Sequence, residues 1–258
     1  MFGFGGGKFY EERPINKGFN YVYNIVITSL CFSLFNLPWI VASLILSFQI
    51  ETALFYLAAA FSAGPAFVSA MYTITKIKRK ESFNKLKVFF MGYKHNFFCS
   101  LKIWLPYLLF LALLIANIRV VWLSFENAAL LLLFVFIGVF VTIGIIYALI
   151  FIAKFELTSI KAIKLGIFYS LRKVLRSFLF AFVIFVFFVI DRSNMLITIA
   201  IGWGLLVVIS DKIASPFVKE IMFRSNLQEP TLPADEELMP LDIELQAQDS
   251  EEKNYPRS

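Results

Sequence analysis

An all-α membrane protein, built as a bundle of six transmembrane helices, is the fold class that three features of the sequence predict. Hydrophobic residues make up 59% of the 258 and charged residues only 16%, where a soluble domain carries about 45–50% and about 25%. Apolar runs recur along the chain. They match the roughly 20 residues needed to cross a hydrocarbon core about 30 Å thick. The cations are segregated as well. Of the 24 Lys and Arg, all but Arg119 and Arg192 fall in segments on the same side of a six-span chain. Lysine and arginine mark the cytoplasmic side, so both termini are expected in the cytoplasm, with short external loops.

The chain divides into a cytoplasmic N-terminal segment (1–21), a membrane domain (22–224) and a C-terminal tail (225–258). The first segment lacks the basic start, short apolar core and small-residue cleavage site of a leader, so the first span is expected to stay in the protein. Its GFGGGK run has neither the spacing nor the Ser/Thr of a phosphate loop. Phe2, Phe4 and Phe9 suit it to the membrane surface. Span one covers 22–48 and contains Asn36. Span two covers 53–73 and is interrupted by Gly64-Pro65. Pro65 lacks an N–H, and its ring disfavours helix at the residue before it. Ala59/Ala63, Ala60/Gly64 and Ala66/Ala70 are small-xxx-small pairs, which let helices approach closely. Two outcomes stay open: a kinked, tightly packed helix, or a discontinuous one whose second half begins at Pro65.

A basic loop follows span two. In it Phe83, Leu86, Phe90, Tyr93 and Phe97 recur at helical spacing, with Lys85 and His95 on the other side. After span four, Ile160, Ile163, Ile167, Leu171 and Val174 repeat the pattern beside Lys161, Arg172 and Arg176. Both read as cytoplasmic amphipathic helices in the membrane interface, their cations near anionic headgroups. Phe90, Lys94, His95, Phe97 and Cys99 can be laid on Phe168, Arg172, Lys173, Leu175 and Ser177. This is either an internal repeat or the shared chemistry of two such helices. Spans three to six cover 103–123, 128–153, 177–190 and 195–215. The tail is acidic, with four prolines and Tyr255 as its one aromatic. It cannot bury enough apolar surface to fold and is expected to be disordered.

Reactive side chains are few. His95 is the one histidine, so neither a multi-histidine metal centre nor a Ser-His-acid triad can be assembled without it. Cys31 and Cys99 belong at different depths, and no disulfide is expected. No catalytic, cofactor-binding or metal residue is expected, and no nucleic-acid partner. Ionisable groups inside spans are the remaining candidates. Asp211 is the oddest. Counted from Met195 it lies about 24 Å along span six. It either snorkels with Lys212 to the headgroups or faces the bundle in substrate or proton handling.

Three stretches together resemble the YesL-like bacterial membrane proteins, a domain family of unknown function. They are FNLPWIVASL (35–44), AGPAFVSAMY (63–72) and FFMGYKHNF (89–97), in that order. The resemblance covers about residues 1–224, and the acidic tail departs from it. It implies a multi-span plasma-membrane protein, mostly of Gram-positive bacteria, whose genes lie near carbohydrate uptake transporters. No catalytic residue carries over. Asn36, Gly64, Pro65, Lys94 and Asn96, within these motifs, and Asp211 are the candidate packing or functional residues. The expected role is non-enzymatic and accessory or regulatory to carbohydrate uptake. Its partners would be the lipid bilayer and transporter permease subunits, or a second copy. The alternative is an independent small-solute transporter or channel that uses a broken second span.

Overall fold

The computed structural model describes residues 14–47, 49–78, 84–124, 128–155 and 157–225, and among them every regular element is helical. The glycine-rich start and the acidic tail beyond residue 225 lie outside these. Ten α-helices follow in order: α1 (Pro14–Phe35), α2 (Leu37–Ile45), α3 (Ala53–Ala59), α4 (Ala63–Lys78), α5 (Lys85–Ser124), α6 (Ala128–Lys154), α7 (Ser159–Arg172), α8 (Val174–Ser193), α9 (Met195–Ile197) and α10 (Trp203–Ser225). Five helical stretches are long and apolar enough to cross a membrane: Ala53–Lys78, Lys85–Leu123, Ala128–Lys154, Val174–Ser193 and Met195–Phe223. A sixth is the pair Asn20–Phe35 and Leu37–Ile45, bent by 73°. The expected all-α bundle and its span count are thus found.

The discontinuity lies in span one, not in span two. Pro38 stands in the first turn of α2. It cannot bond the carbonyl four residues back, and its ring crowds that carbonyl. Asn36 takes up the turn at φ −106°, ψ 23°. Its Nδ2 donates to the Phe32 carbonyl oxygen at 3.0 Å, which also accepts the Asn36 backbone N–H at 3.1 Å. The far end of α2 is tied down by Tyr56, whose hydroxyl donates to the Leu46 carbonyl oxygen at 2.8 Å.

Span two runs unbroken for 26 residues. Gly64 and Pro65 do not split it. The helix tightens into a 3-10 turn at Ala60–Ser62, which puts Pro65 in the first turn of α4, where its missing N–H is tolerated. The first basic amphipathic helix is likewise not a separate element. It forms one 40-residue helix, α5, with span three. At 1.5 Å per residue that is about 60 Å, twice a hydrocarbon core. Pro106 lies inside it, and nothing else between Lys85 and Ser124 breaks the helix. The second basic helix, α7, does stand apart from its span. Lys173 leaves helical geometry at φ −118°, ψ 56°, and the Ser177 hydroxyl donates to the Ser170 carbonyl oxygen at 2.7 Å.

Neither basic segment rests apart on the bundle surface. Each packs back on the preceding span through a glycine: Gly92 against Ser69 and Tyr72 of α4, and Gly166 against Gly144 and Ala148 of α6. At Gly166 a Cβ would collide with the Gly144 carbonyl. α1 and α10 are joined across a π-helical turn at Thr198–Gly202. The Ser29 and Ser33 hydroxyls of α1 donate to the Ile199 carbonyl oxygen there, at 3.0 and 3.3 Å. Such turns loosen the helical ladder and open carbonyls to side chains. Of the five long spans, the one containing α4 is the most buried and α8 the least.

Candidate functional site

The three motif stretches meet in one place. Phe35 packs on Phe89 and Tyr93 of α5, with ring centroids 5.4 and 4.2 Å apart. Ser69 of α4 donates to the Phe89 carbonyl oxygen. Asn36 Oδ1 lies 3.4 Å from the Ser62 hydroxyl. The residues that make these contacts are mostly aromatic or small. Lys94 is exposed and takes no part. Asn96 donates to the Gly92 carbonyl oxygen of its own helix at 3.2 Å, a local bond within α5.

Gly64 is a contact point. The Trp104 ring lies so close that a Cβ at residue 64 has no room. The indole N–H of Trp104 donates to the Ala60 carbonyl oxygen at 2.8 Å, which also accepts the Ala63 N–H in the 3-10 turn. The turn before Pro65 thus receives a donor from α5. The small-residue face around Gly64 is occupied by the protein's own helices: Ala66 and Ala70 are fully buried.

Asp211 faces the bundle. Its side chain is 2% exposed and ion-pairs with Lys154 at 2.6 Å and with Lys78. Lys154 is 8% exposed and Lys78 42%. These lysines end α6 and α4, where a cation also answers the helix dipole. A carboxylate this buried is tolerable only with partners, and here two other helices supply them. Lys212 turns outward, so the expected snorkelling pair with Asp211 does not form. A second ion pair, Arg172 to Glu220 at 2.9 Å, joins α7 to α10.

Between the break in span one and this charge cluster lies a cavity of about 220 Å³. Phe32, Trp39, Trp104, Phe187 and Trp203 give it an aromatic wall. Trp203 stacks on Phe32 at 4.6 Å and packs on Phe187 at 4.7 Å. Tyr107, Thr142 and Ser210 also line it. The Tyr107 hydroxyl pairs with Thr142 at 2.9 Å, Thr142 donates to the Gly138 carbonyl oxygen and Ser210 to that of Leu206.

Sequence reasoning singled out Asn36, Gly64, Pro65 and Asp211, and the structure sets them around this region. Trp104, Lys78 and Lys154 were missed as partners. Lys78 had the look of one more cytoplasmic anchor, and nothing local in the sequence links residue 154 to residue 211. Among the described residues no three His, Cys, Asp or Glu side chains are placed to share a metal ion. Cys31 is buried, Cys99 exposed, and both are free thiols.

Residues 25–118 match the model of a family described as "Protein of unknown function, DUF624". This is the YesL-like family, and the matched segment contains all three motifs. No curated protein and no solved structure gives a significant match.

Proposed function

From a membrane protein whose residues 25–118 carry the DUF624 match, we propose a non-enzymatic, plasma-membrane accessory of solute uptake. Carbohydrate is the solute class that the family resemblance suggests. Both termini face the cytoplasm in this reading, which the segregated lysines and arginines support. One observation carries the proposal. Polar and ionisable groups inside the bundle tie separate helices together, as Ser29 does at Ile199, Trp104 at Ala60 and Asp211 at two lysines. Asp211, the carboxylate a coupled transporter would use, is engaged by Lys78 and Lys154, and the cavity beside it has an apolar wall. A sugar crossing such a wall would lose its hydrogen bonds to water without replacement. The protein then acts through its surfaces, on permease subunits embedded beside it.

The test is purification from native membranes in mild detergent, followed by reconstitution. Permease subunits of a solute transporter are expected at stoichiometric yield, and proteoliposomes of this protein alone should pass no sugar. Isolation as a lone protein that sustains sugar flux would overturn the proposal. The 73° break in span one favours a second reading, an independent transporter, because discontinuous helices form the substrate sites of several transporter folds. Under that reading Asp211→Asn abolishes the flux.

A further inference from the structure

We infer that the cavity beside the broken first span binds one hydrocarbon chain of a membrane phospholipid. The volume admits a segment of such a chain. An apolar cavity of about 150 Å³ stays dry and admits benzene, and this one holds about 220 Å³. The chemistry of the wall excludes polar occupants. Asn36 is bonded to Phe32 and Ser62, Trp104 to Ala60, Tyr107 to Thr142, and Ser210 to Leu206. The Trp39 indole N–H is buried without a hydrogen-bond partner, so it offers a single donor and no acceptor. Water or a sugar placed among these groups would gain few partners and lose its own, whereas a methylene chain loses nothing.

Position selects the source. Asn36 meets Ser62, the tenth residue of the span Ala53–Lys78, so the break stands about 15 Å from the Ala53 end. That is the middle of a core roughly 30 Å thick, a depth occupied by acyl chains and not by headgroups. The cavity also has an edge on the outside of the bundle. Phe188, which lines it, is 47% exposed. It belongs to α8, the least buried of the five long spans. This ring marks the side from which a chain of the surrounding bilayer would enter. Once inside it touches Asn36 and Trp39 on the two sides of the break.

The test uses the tryptophans as reporters. Trp39, Trp104 and Trp203 line the cavity, while Trp122 is 69% exposed and is removed as Trp122→Phe. This protein, in a non-aromatic detergent, is titrated with a phosphatidylcholine brominated at mid-chain, which quenches indole fluorescence on contact. Quenching is expected to saturate near one lipid per chain and to reverse with excess unbrominated phosphatidylcholine. Ala63→Leu and Ile146→Phe fill the cavity from α4 and α6, and each should reduce the plateau at least about twofold. Quenching that rises without saturating, or a plateau unchanged in well-folded filled variants, overturns the inference. Should both filled variants lose helicity, saturation and reversal in the Trp122→Phe protein decide it alone.

Discussion

Replacing the Asp211 carboxylate by an amide removes the charge that faces Lys154 and Lys78, and the two lysines do not feel the loss equally. Lys154 is 8% exposed, whereas Lys78 is 42% exposed. Breaking a buried pair on one side costs about 3–5 kcal/mol, and exposed pairs contribute about 0–1 kcal/mol. Asp211→Asn is therefore expected to lower stability by about 3 kcal/mol or more, and Lys78→Met by no more than about 1 kcal/mol. Combining Asp211→Leu with Lys154→Met should recover much of the loss. Denaturant titration in detergent, followed by helicity, checks all three. Gly64 makes the parallel case for shape. Gly64→Leu drives a side chain into the Trp104 ring, and overpacking of this kind costs about 1–3 kcal/mol; the same titration measures it. At this scale the sequence showed that residue 64 must be small and that residue 211 is out of place in an apolar run. The neighbours that explain both lie 40 or more positions away, where no local pattern reaches.

Among the helices, the break belongs to Pro38 and not to Pro65. Each proline removes one N–H, but their settings differ. Pro65 falls in the first turn of α4 and receives help from Trp104 at Ala60. Pro38 also stands in a first turn, that of α2, but there the chain bends by 73°. The bend can be measured with spin labels at Leu30 and Leu44, both exposed. A straight helix would set them about 21 Å apart, and the bent pair several ångströms closer. Pro38→Ala is expected to shift the distribution toward the straight value. An unchanged distribution would assign the bend to packing of α2 against α3 instead. The fusion of the first basic segment with span three was illegible for a related reason. Charge periodicity separates a polar face from an apolar one, but it contains no stop signal. Between residues 97 and 103 the sequence FCSLKI has no glycine or proline. Lys173, by contrast, ends α7 without a glycine or proline either, and that break comes from tertiary contacts such as Ser177 to Ser170.

For the molecule as a whole, composition alone made the class plain, because 59% hydrophobic residues cannot be accommodated by a soluble surface. The count of spans followed from run lengths. How the spans pair did not, since most apolar faces are interchangeable and the choice is made by a few glycine contacts and by Asp211 with its two lysines. Sidedness can be tested directly in intact cells. Arg119→Cys in a Cys31→Ser/Cys99→Ser background is expected to react with an impermeant maleimide, and Lys87→Cys to react only after lysis. The reverse pattern would invert the topology and remove the basis for placing the lysine-rich ends in the cytoplasm.

The ion-paired cluster also has a consequence for how the chain is made. Its members are residues 78, 154 and 211, so the order of synthesis delivers two cations first and their anion last. From the moment α6 is inserted until α10 follows, the nascent protein carries Lys154 with its native counter-charge still unsynthesised. A chain that stops short of residue 211 never acquires it. Such a fragment presents an uncompensated lysine among its membrane helices, a mark by which a membrane protease can tell an unfinished chain from a finished one.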